Sequence, residues 1–396
     1  MPASFTPLDA PRHLDAVVRM TTFAFGTPAE PCRDWLANKV GTPNLRVVAD
    51  GGEVFAAGGV LPMGQFFGGR SVPMTGVAGV SVAPEHRGRG HSVALMSGIL
   101  HELHAQGTPL SSLYPATSRL YRRTGYEQAG QHCEHRFPVA HLPARRSPAS
   151  VRRFTEADLA GVKACQGRGV ARADGALDRS DYIWQRVFHP RTGKHEGFVV
   201  DDASLEGGIG GYLFMRQEQL STGRHDLHLS DLVASTPVAA ESLLHFLGQF
   251  GSMAANIVVR AAAMHPLFTL LDEPRHLSIH FHEYWMLRIV HLERALTMRG
   301  YPAGLREELH LDIDDPLLPA NAGRWVLEVR DGQGAVTRGG HGSLQASIGG
   351  LAQVYSGQFA PRSLACVGRV RGDQASLDVA SRLFAGHGNQ GFSDFF

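Results

Sequence analysis

Hydrophobic and polar positions along this chain change period every few residues, so no single pattern runs far. Residues 77–82 predict a strand, and 93–104, apolar at helical spacing, predict a helix. Residues 110–114 predict a second short buried strand, broken by Pro115, and 120–123 predict one helical turn closed at Gly125. Two strand-to-helix corners therefore follow each other in the first third of the chain.

Farther on, a proline- and arginine-rich connector spans residues 138–148, and Thr155 reads as the N-cap of a helix running into Val162. Strands at 197–200, 211–215 and 227–234 and a helix at 239–250 repeat the order of elements in the first third. A strand over 285–292 should carry the chain onward, and a helix at 292–300 should stop at Gly300 ahead of Pro302. Strands at 308–313, 323–329 and 335–339 and helices at 343–355 and 374–385 complete the pattern. With 396 residues, too many for one small domain, the fold class is α+β (mixed α/β) in three parts, 1–140, 141–291 and 292–396.

The first corner carries the sharpest chemistry. Between strand and helix stand Arg87, Gly88, Arg89, Gly90, His91 and Ser92. The glycines let backbone approach a ligand, and a helix N-terminus presents N–H groups and partial positive charge, which together suit a pyrophosphate. No Lys follows Gly90, as a Walker loop requires, and Val93 stands where the dinucleotide fingerprint needs glycine.

The spacing that remains, Arg87-x-x-Gly90-x-Ser92 after Val80-Ser81-Val82-Ala83-Pro84, resembles the pyrophosphate loop of the GCN5-related N-acetyltransferases. Ser92 departs from the usual Gly or Ala. The second corner, Leu113-Tyr114-Pro115-Ala116-Thr117 followed by Leu120-Tyr121-Arg122-Arg123-Thr124-Gly125-Tyr126, is similar to that of the Eis (enhanced intracellular survival) acetyltransferases. Read from pattern alone, Tyr121 suits a ring packed beneath the loop better than a catalytic group.

The resemblance implies tandem acetyltransferase folds, the second degenerate and without a coenzyme loop, then a sterol-carrier-like domain. It implies acetyl-CoA as co-substrate. Val80, Ser81 and Val82 would pair with pantetheine, Arg87 through Val93 would hold the pyrophosphate, and Ala116 and Thr117 would line the thioester end. Tyr121 would protonate the departing thiolate, and the α-carboxylate of Phe396 would take a proton from the attacking amine. A backbone N–H near Val80 to Val82 would hold the oxyanion. Transfer would be direct, in a ternary complex, to a primary amine of a cationic small molecule resembling an aminoglycoside or polyamine. Glu30 and Asp34 beside Trp35, and Asp394, are the candidate acids for attracting it. The resemblance also implies a homohexamer.

A lipid- or hydrophobic-ligand-binding protein of sterol-carrier type and a protein-lysine acetyltransferase remain alternative readings. Net charge is +1, from 38 basic and 37 acidic residues, which gives no field aimed at nucleic acid or an anionic membrane. Cys32, Cys133, Cys165 and Cys366 lack metal spacing and read as reduced thiols of a cytoplasmic protein. Among 21 histidines, His101 and His104 stand three apart, unlike the zinc pattern, and His276, His280 and His282 lack an acidic or cysteine partner at matching spacing, so no metal is expected. No secretory signal or membrane-spanning run is expected either.

Overall fold

The computed structural model describes residues 3–142, 147–190, 193–386 and 394–396. The chain begins with β1 (Ser4–Pro7), α1 (Ala10–Phe25), α2 (Ala29–Asp34), β2 (Leu45–Asp50), β3 (Glu53–Phe67), β4 (Arg70–Val82), α3 (His91–Ala105), β5 (Leu110–Leu113), α4 (Ser118–Arg122) and β6 (Glu127–Pro138). Next come β7 (Val151–Arg153), α5 (Leu159–Val170), β8 (Leu177–Asp178), α6 (Asp181–Phe188), β9 (Glu196–Asp201), β10 (Ile209–Gln219), β11 (His225–Ala234), α7 (Pro237–Gly248), β12 (Ala254–Ala261) and β13 (Ser278–Ile289). The last stretch holds α8 (Leu292–Met298), β14 (Arg306–Asp314), β15 (Gly323–Arg330), β16 (Gln333–Arg338), β17 (Leu344–Ser347), α9 (Ile348–Ser356), α10 (Pro361–Cys366), β18 (Val370–Gly372) and α11 (Gln374–Leu383).

These elements gather into two compact units. One comprises the described residues of Met1–Ala129 and Trp285–Ala385 with Phe396; the other comprises those of Gly130–Tyr284 and Gly386–Phe395.

In the first unit, β1 to β4 form an antiparallel run and β5 joins β4 in parallel. The end of β13 pairs antiparallel with β5, Met286 opposite Leu113 and Ile289 opposite Leu110. Helix α3 packs on this sheet through Leu95, Met96, Ile99, Leu100 and Leu103, which return to one face at helical spacing. Gly98 on that helix leaves room for the Phe5 ring, which a Cβ would meet at 2.3 Å.

The same unit holds a separate sheet ordered β16-β15-β14-β17-β18. Its inner face follows from strict alternation: Leu309, Leu311 and Ile313 on β14 and Trp325, Leu327 and Val329 on β15 are buried, with Leu309 opposite Leu327 and Leu311 opposite Trp325. The helix expected over 343–355 opens instead with a four-residue strand. Residues 344–347 pair in parallel with β14, and the helix begins only where the Ser347 hydroxyl accepts the Gly350 N–H at 3.1 Å.

The second unit orders its strands β6-β12-β11-β10-β9-β7, with β11 and β12 parallel and the rest antiparallel. Thr155 caps as expected, through a reciprocal box with Asp158, although a short 3-10 turn precedes α5. Apolar side chains of α7, among them Leu243, Leu244 and Leu247, fill the core against Leu213, Leu227 and Ile257. Part of the predicted connector, 143–146, lies outside the described residues. Among the described residues no helix is long and apolar enough to cross a membrane.

Candidate active site

The site grows from a local defect in the first sheet. Strand β4 pairs with β5 only through Met74, Thr75 and Gly76, opposite Leu110, Ser111 and Ser112, yet continues to Val82. Beyond Gly76 the two parallel strands part. On its other side β4 follows β3 with a bulge, since Ala57 faces Ser81 but Gly59 faces Ala78. Gly79 sits in the bulge at φ +63°, and a Cβ there would come within 2.6 Å of the Trp35 ring. Only glycine meets both demands, so β4 shifts its register with β3 ahead of Val80.

β4 delivers the chain to the glycine turn and α3. Gly88 and Gly90 have φ of +77° and +86°, and no heavy atom lies within 4 Å of a Cβ built on either. The helix starts at Gly90 without a side-chain cap. Its first intrahelical bond runs from the Ala94 N–H to the Gly90 carbonyl, which leaves the N–H groups of His91, Ser92 and Val93 without an intrahelical acceptor. Arg87 and Arg89 are exposed beside this opening, and the Arg87 guanidinium lies 5.9 Å from the exposed Phe23 ring. His91 stacks on Phe55 at 4.8 Å, while Phe55 meets His86 edge-on. Burial, then His86, then Arg89 hold the His91 imidazole below its usual range.

The second corner is rigidly built. The Tyr121 carbonyl accepts from the N–H groups of Thr124 and Tyr126 and from the Thr124 hydroxyl at 3.0–3.2 Å. Behind it Arg288 donates from Nε to the Thr124 carbonyl at 2.9 Å and from Nη2 to both oxygens of the buried Asp315 at 2.7 and 2.8 Å. Gly125, at φ +84°, admits that guanidinium, which a Cβ would crowd at 2.8 Å. Tyr121 is therefore held from both sides. Its ring is buried edge-on against Tyr126 with centroids 6.1 Å apart, and burial pushes its phenol up to about 12. The Tyr126 hydroxyl lies 2.7 Å from that of Ser111, which donates to the Thr75 carbonyl. Ala116 and Thr117 are exposed.

Phe396 belongs to this unit and is buried. Its ring lies 5.8 Å from that of Tyr114, and a Cβ on Gly76 would come within 2.7 Å of it. Gly76, the last β4 residue paired to β5, is thus the seat of Phe396. The sequence reading missed both Gly76 and Gly79. Two glycines three apart inside a strand signal a bulge or a close approach, and that signal was available.

The remaining candidates separate. Glu30 and Asp34 are exposed on α2, with Asp34 accepting from Asn38 at 2.8 Å. Asp394, expected near a cationic amine, is instead buried in the second unit on Arg179 at 2.9 Å, because its carboxylate finds a guanidinium there. Residues 391–393, part of the same expected segment, lie outside the described residues. Among the described residues no three of His, Cys, Asp and Glu converge as a metal-binding group.

Comparison with known proteins gives these corners a context. An acetyltransferase (GNAT) domain family matches residues 10–129, a second acetyltransferase (GNAT) domain family matches 175–289, and a sterol carrier protein domain family matches 292–390. The crystal structure of a GCN5-related N-acetyltransferase from Anabaena variabilis is 32% identical, with a TM-score of 0.94 over 100% of both chains. That of a GCN5-related N-acetyltransferase from Kribbella flavida is 30% identical, with a TM-score of 0.87 over 100% of this chain and 98% of the other. The N-acetyltransferase Eis of Mycobacterium tuberculosis is 26% identical over 77% of this chain and 76% of its own.

Proposed function

Because this chain belongs to the GCN5-related N-acetyltransferases, as an acetyl-transferring enzyme of the Eis-like kind with a sterol-carrier-like domain, we propose that it acetylates a primary amine of a cationic small molecule, resembling an aminoglycoside or polyamine, in a ternary complex. One observation carries this reading: a strand that parts from its parallel neighbour and ends on an uncapped helix N-terminus behind two open glycines. A coenzyme pyrophosphate fits there, since the space over Gly88 and Gly90 is open and the N–H groups of His91 to Val93 lack helical acceptors. Acetyl-CoA supplies the activated thioester.

The chain's own residues then divide the work. Val80, Ser81 and Val82 offer backbone groups to pantetheine along the free edge of β4, and a Val80 to Val82 N–H holds the charge that develops on the thioester oxygen. Arg87, Gly88, Arg89, Gly90, His91, Ser92 and Val93 hold the pyrophosphate, and Ala116 and Thr117 border the acyl end. Tyr121, kept protonated by burial, donates to the departing sulfur. The Phe396 α-carboxylate receives the amine proton, its residue being seated on Gly76 where β4 and β5 part. No cysteine stands in either corner to carry the acyl group, which favours direct transfer. Glu30 and Asp34, exposed next to Trp35, favour a cationic acceptor.

The domain reading accompanies this one: a catalytic segment 1–140, a degenerate copy 141–291 and a sterol-carrier-like 292–396. Within the last, Arg299 is fully buried with its guanidinium 4.5 Å from the Tyr355 ring, 4.8 Å from Phe384 and 5.2 Å from Tyr301. A cation filling that interior favours an architectural role over lipid carriage. The Eis-like reading also carries a cytoplasmic homohexamer, which sedimentation equilibrium tests for assembly state.

The test is an amine panel with acetyl-CoA, following free thiol, alongside calorimetry of acetyl-CoA alone. Saturable coenzyme binding and thiol release with cationic amines are expected. Failure to bind acetyl-CoA overturns the reading, and release only with protein lysines moves the acceptor to polypeptides.

A further inference from the structure

The second unit buries one arginine between two acids, and one of those acids lies in the last described segment, 394–396. The Arg179 Nε and Nη2 reach the Asp394 carboxylate at 3.0 and 2.9 Å, and its Nη1 reaches Asp231 at 2.5 Å. The Tyr212 hydroxyl donates to the same Asp231 oxygen at 2.7 Å, and the Leu232 N–H donates to its other oxygen at 3.1 Å. Trp184 lies 4.8 Å from the guanidinium. Arg179, Asp231, Asp394 and Tyr212 are all buried.

Asp394 is the member that ties segment 394–396 to this group. Asp231 alone balances Arg179 and is further satisfied by Tyr212 and the Leu232 amide. Asp394 is a second acid on that guanidinium and also lies in the field of Arg186, so both arginines offset part of its burial cost. What a two-pronged arginine–carboxylate contact adds is fixed orientation. Phe395 follows with its ring 5.8 Å from the Arg186 guanidinium, so two successive residues are held by arginines of the second unit. Two residues of chain span at most about 7 Å, so fixing Asp394 confines Phe396 to that reach.

We propose that Arg179 is a positioning residue that anchors the segment 394–396 through Asp394 and thereby sets where Phe396 stands. Its consequence for turnover rests on the reading of Phe396 as the base; its consequence for the segment does not. The anchor acts through Asp394 and touches no reacting atom.

Two readouts test it on the full chain. Asp394→Ala leaves the Arg179–Asp231–Tyr212 group whole, so the unit should keep its fold. The variant should release Phe396 to a carboxypeptidase at least ten-fold faster than the parent, and kcat should fall at least ten-fold while the acetyl-CoA Kd stays within two-fold. Asp231→Asn leaves Asp394 as the remaining acid on Arg179 and should release Phe396 at the parental rate. Equal release from parent and Asp394→Ala overturns the anchor, as does equal acceleration by both substitutions, which would mark a merely structural cluster. Deletion of Phe396 separates the two readings: full activity without it overturns the base assignment, while the release rates still decide the anchor.

Discussion

Two strand–turn–helix corners in this molecule share an order of elements and differ in what their backbone donors do. At the first, β4 parts from β5 after Gly76 and α3 starts on Gly90 with no side-chain cap. At the second, β11 pairs with β12 only as far as Leu229 and leads to α7, whose start is closed from within. The Thr236 hydroxyl accepts the Ala239 N–H at 3.2 Å, and Pro237 at the first helical position has no N–H to offer. Beyond Leu229, β11 also carries Asp231, already engaged by Arg179 and Tyr212. The helical turn after β12 carries Phe268, packed on Phe137, and the helical turn after β5 carries Tyr121. The strand-and-helix frame is thus indifferent to catalysis. A site requires donors the fold leaves unsatisfied and a titratable group it holds in place.

The largest expected effect breaks the comparison at its chemical member. Tyr121→Phe gives the first unit a phenyl ring like that of Phe268 in the second, and kcat should fall by about 10²–10⁴. Acetyl-CoA affinity, measured by calorimetry, should hold within two-fold. Unchanged turnover would mean that the difference between Tyr121 and Phe268 is not a catalytic one.

The same pair differs in proton linkage. Burial raises the Tyr121 phenol from 10 to about 12 in the folded chain. Between those values the unfolded chain has lost the proton and the folded one keeps it, so stability falls as pH rises. The parent should lose about 2 kcal/mol more than Tyr121→Phe between pH 10 and 12, read from urea midpoints. Parallel curves for the two proteins would show the phenol to be solvated. Below that range the phenol stays a donor, so Tyr121 should impose no alkaline fall in activity under pH 10.

Closing the first corner comes next. Gly90→Val places a branched side chain at φ +86° and over the open turn. Backbone strain alone costs about 1–2 kcal/mol, and acetyl-CoA Kd should rise by an order of magnitude or more. An unchanged Kd would remove the turn from the coenzyme site.

The first corner was legible because its chemistry requires residues that stand out in a sequence, glycines and arginines between a strand and a helix. The strand itself was legible only over 77–82, since Pro73 and Gly76 interrupt the earlier part of a β4 that begins at Arg70. Strands β6 and β12 were missed and the start of α9 was misplaced. Residues 343–347 lack a strand's sequence signature, and pairing with β14 decides their conformation. Gly76, Arg288 and Arg179 acquire their roles from partners remote in sequence, Phe396, Asp315 and Asp394, which no periodicity relates. The turn was therefore readable, whereas the groups that hold its surroundings became visible only on folding.

The smallest effect asks whether the second corner's cap is structural alone. Thr236→Ala removes the acceptor for the Ala239 N–H and should cost about 1 kcal/mol, the usual value of an N-cap hydroxyl. The loss should appear in the urea midpoint of the second unit. Acetyl-CoA affinity and kcat should not move, because Pro237 still withholds an N–H and Asp231 still engages Arg179 beyond Leu229. A second equivalent of acetyl-CoA bound by Thr236→Ala would overturn this account. It would mean that one hydroxyl had been closing a latent coenzyme site, and that the two corners differ by occupancy of a few N–H groups more than by the filling of the cleft. With a single equivalent bound before and after, the second corner's silence belongs to its packed interior, and uncapping its helix is not enough to make it bind.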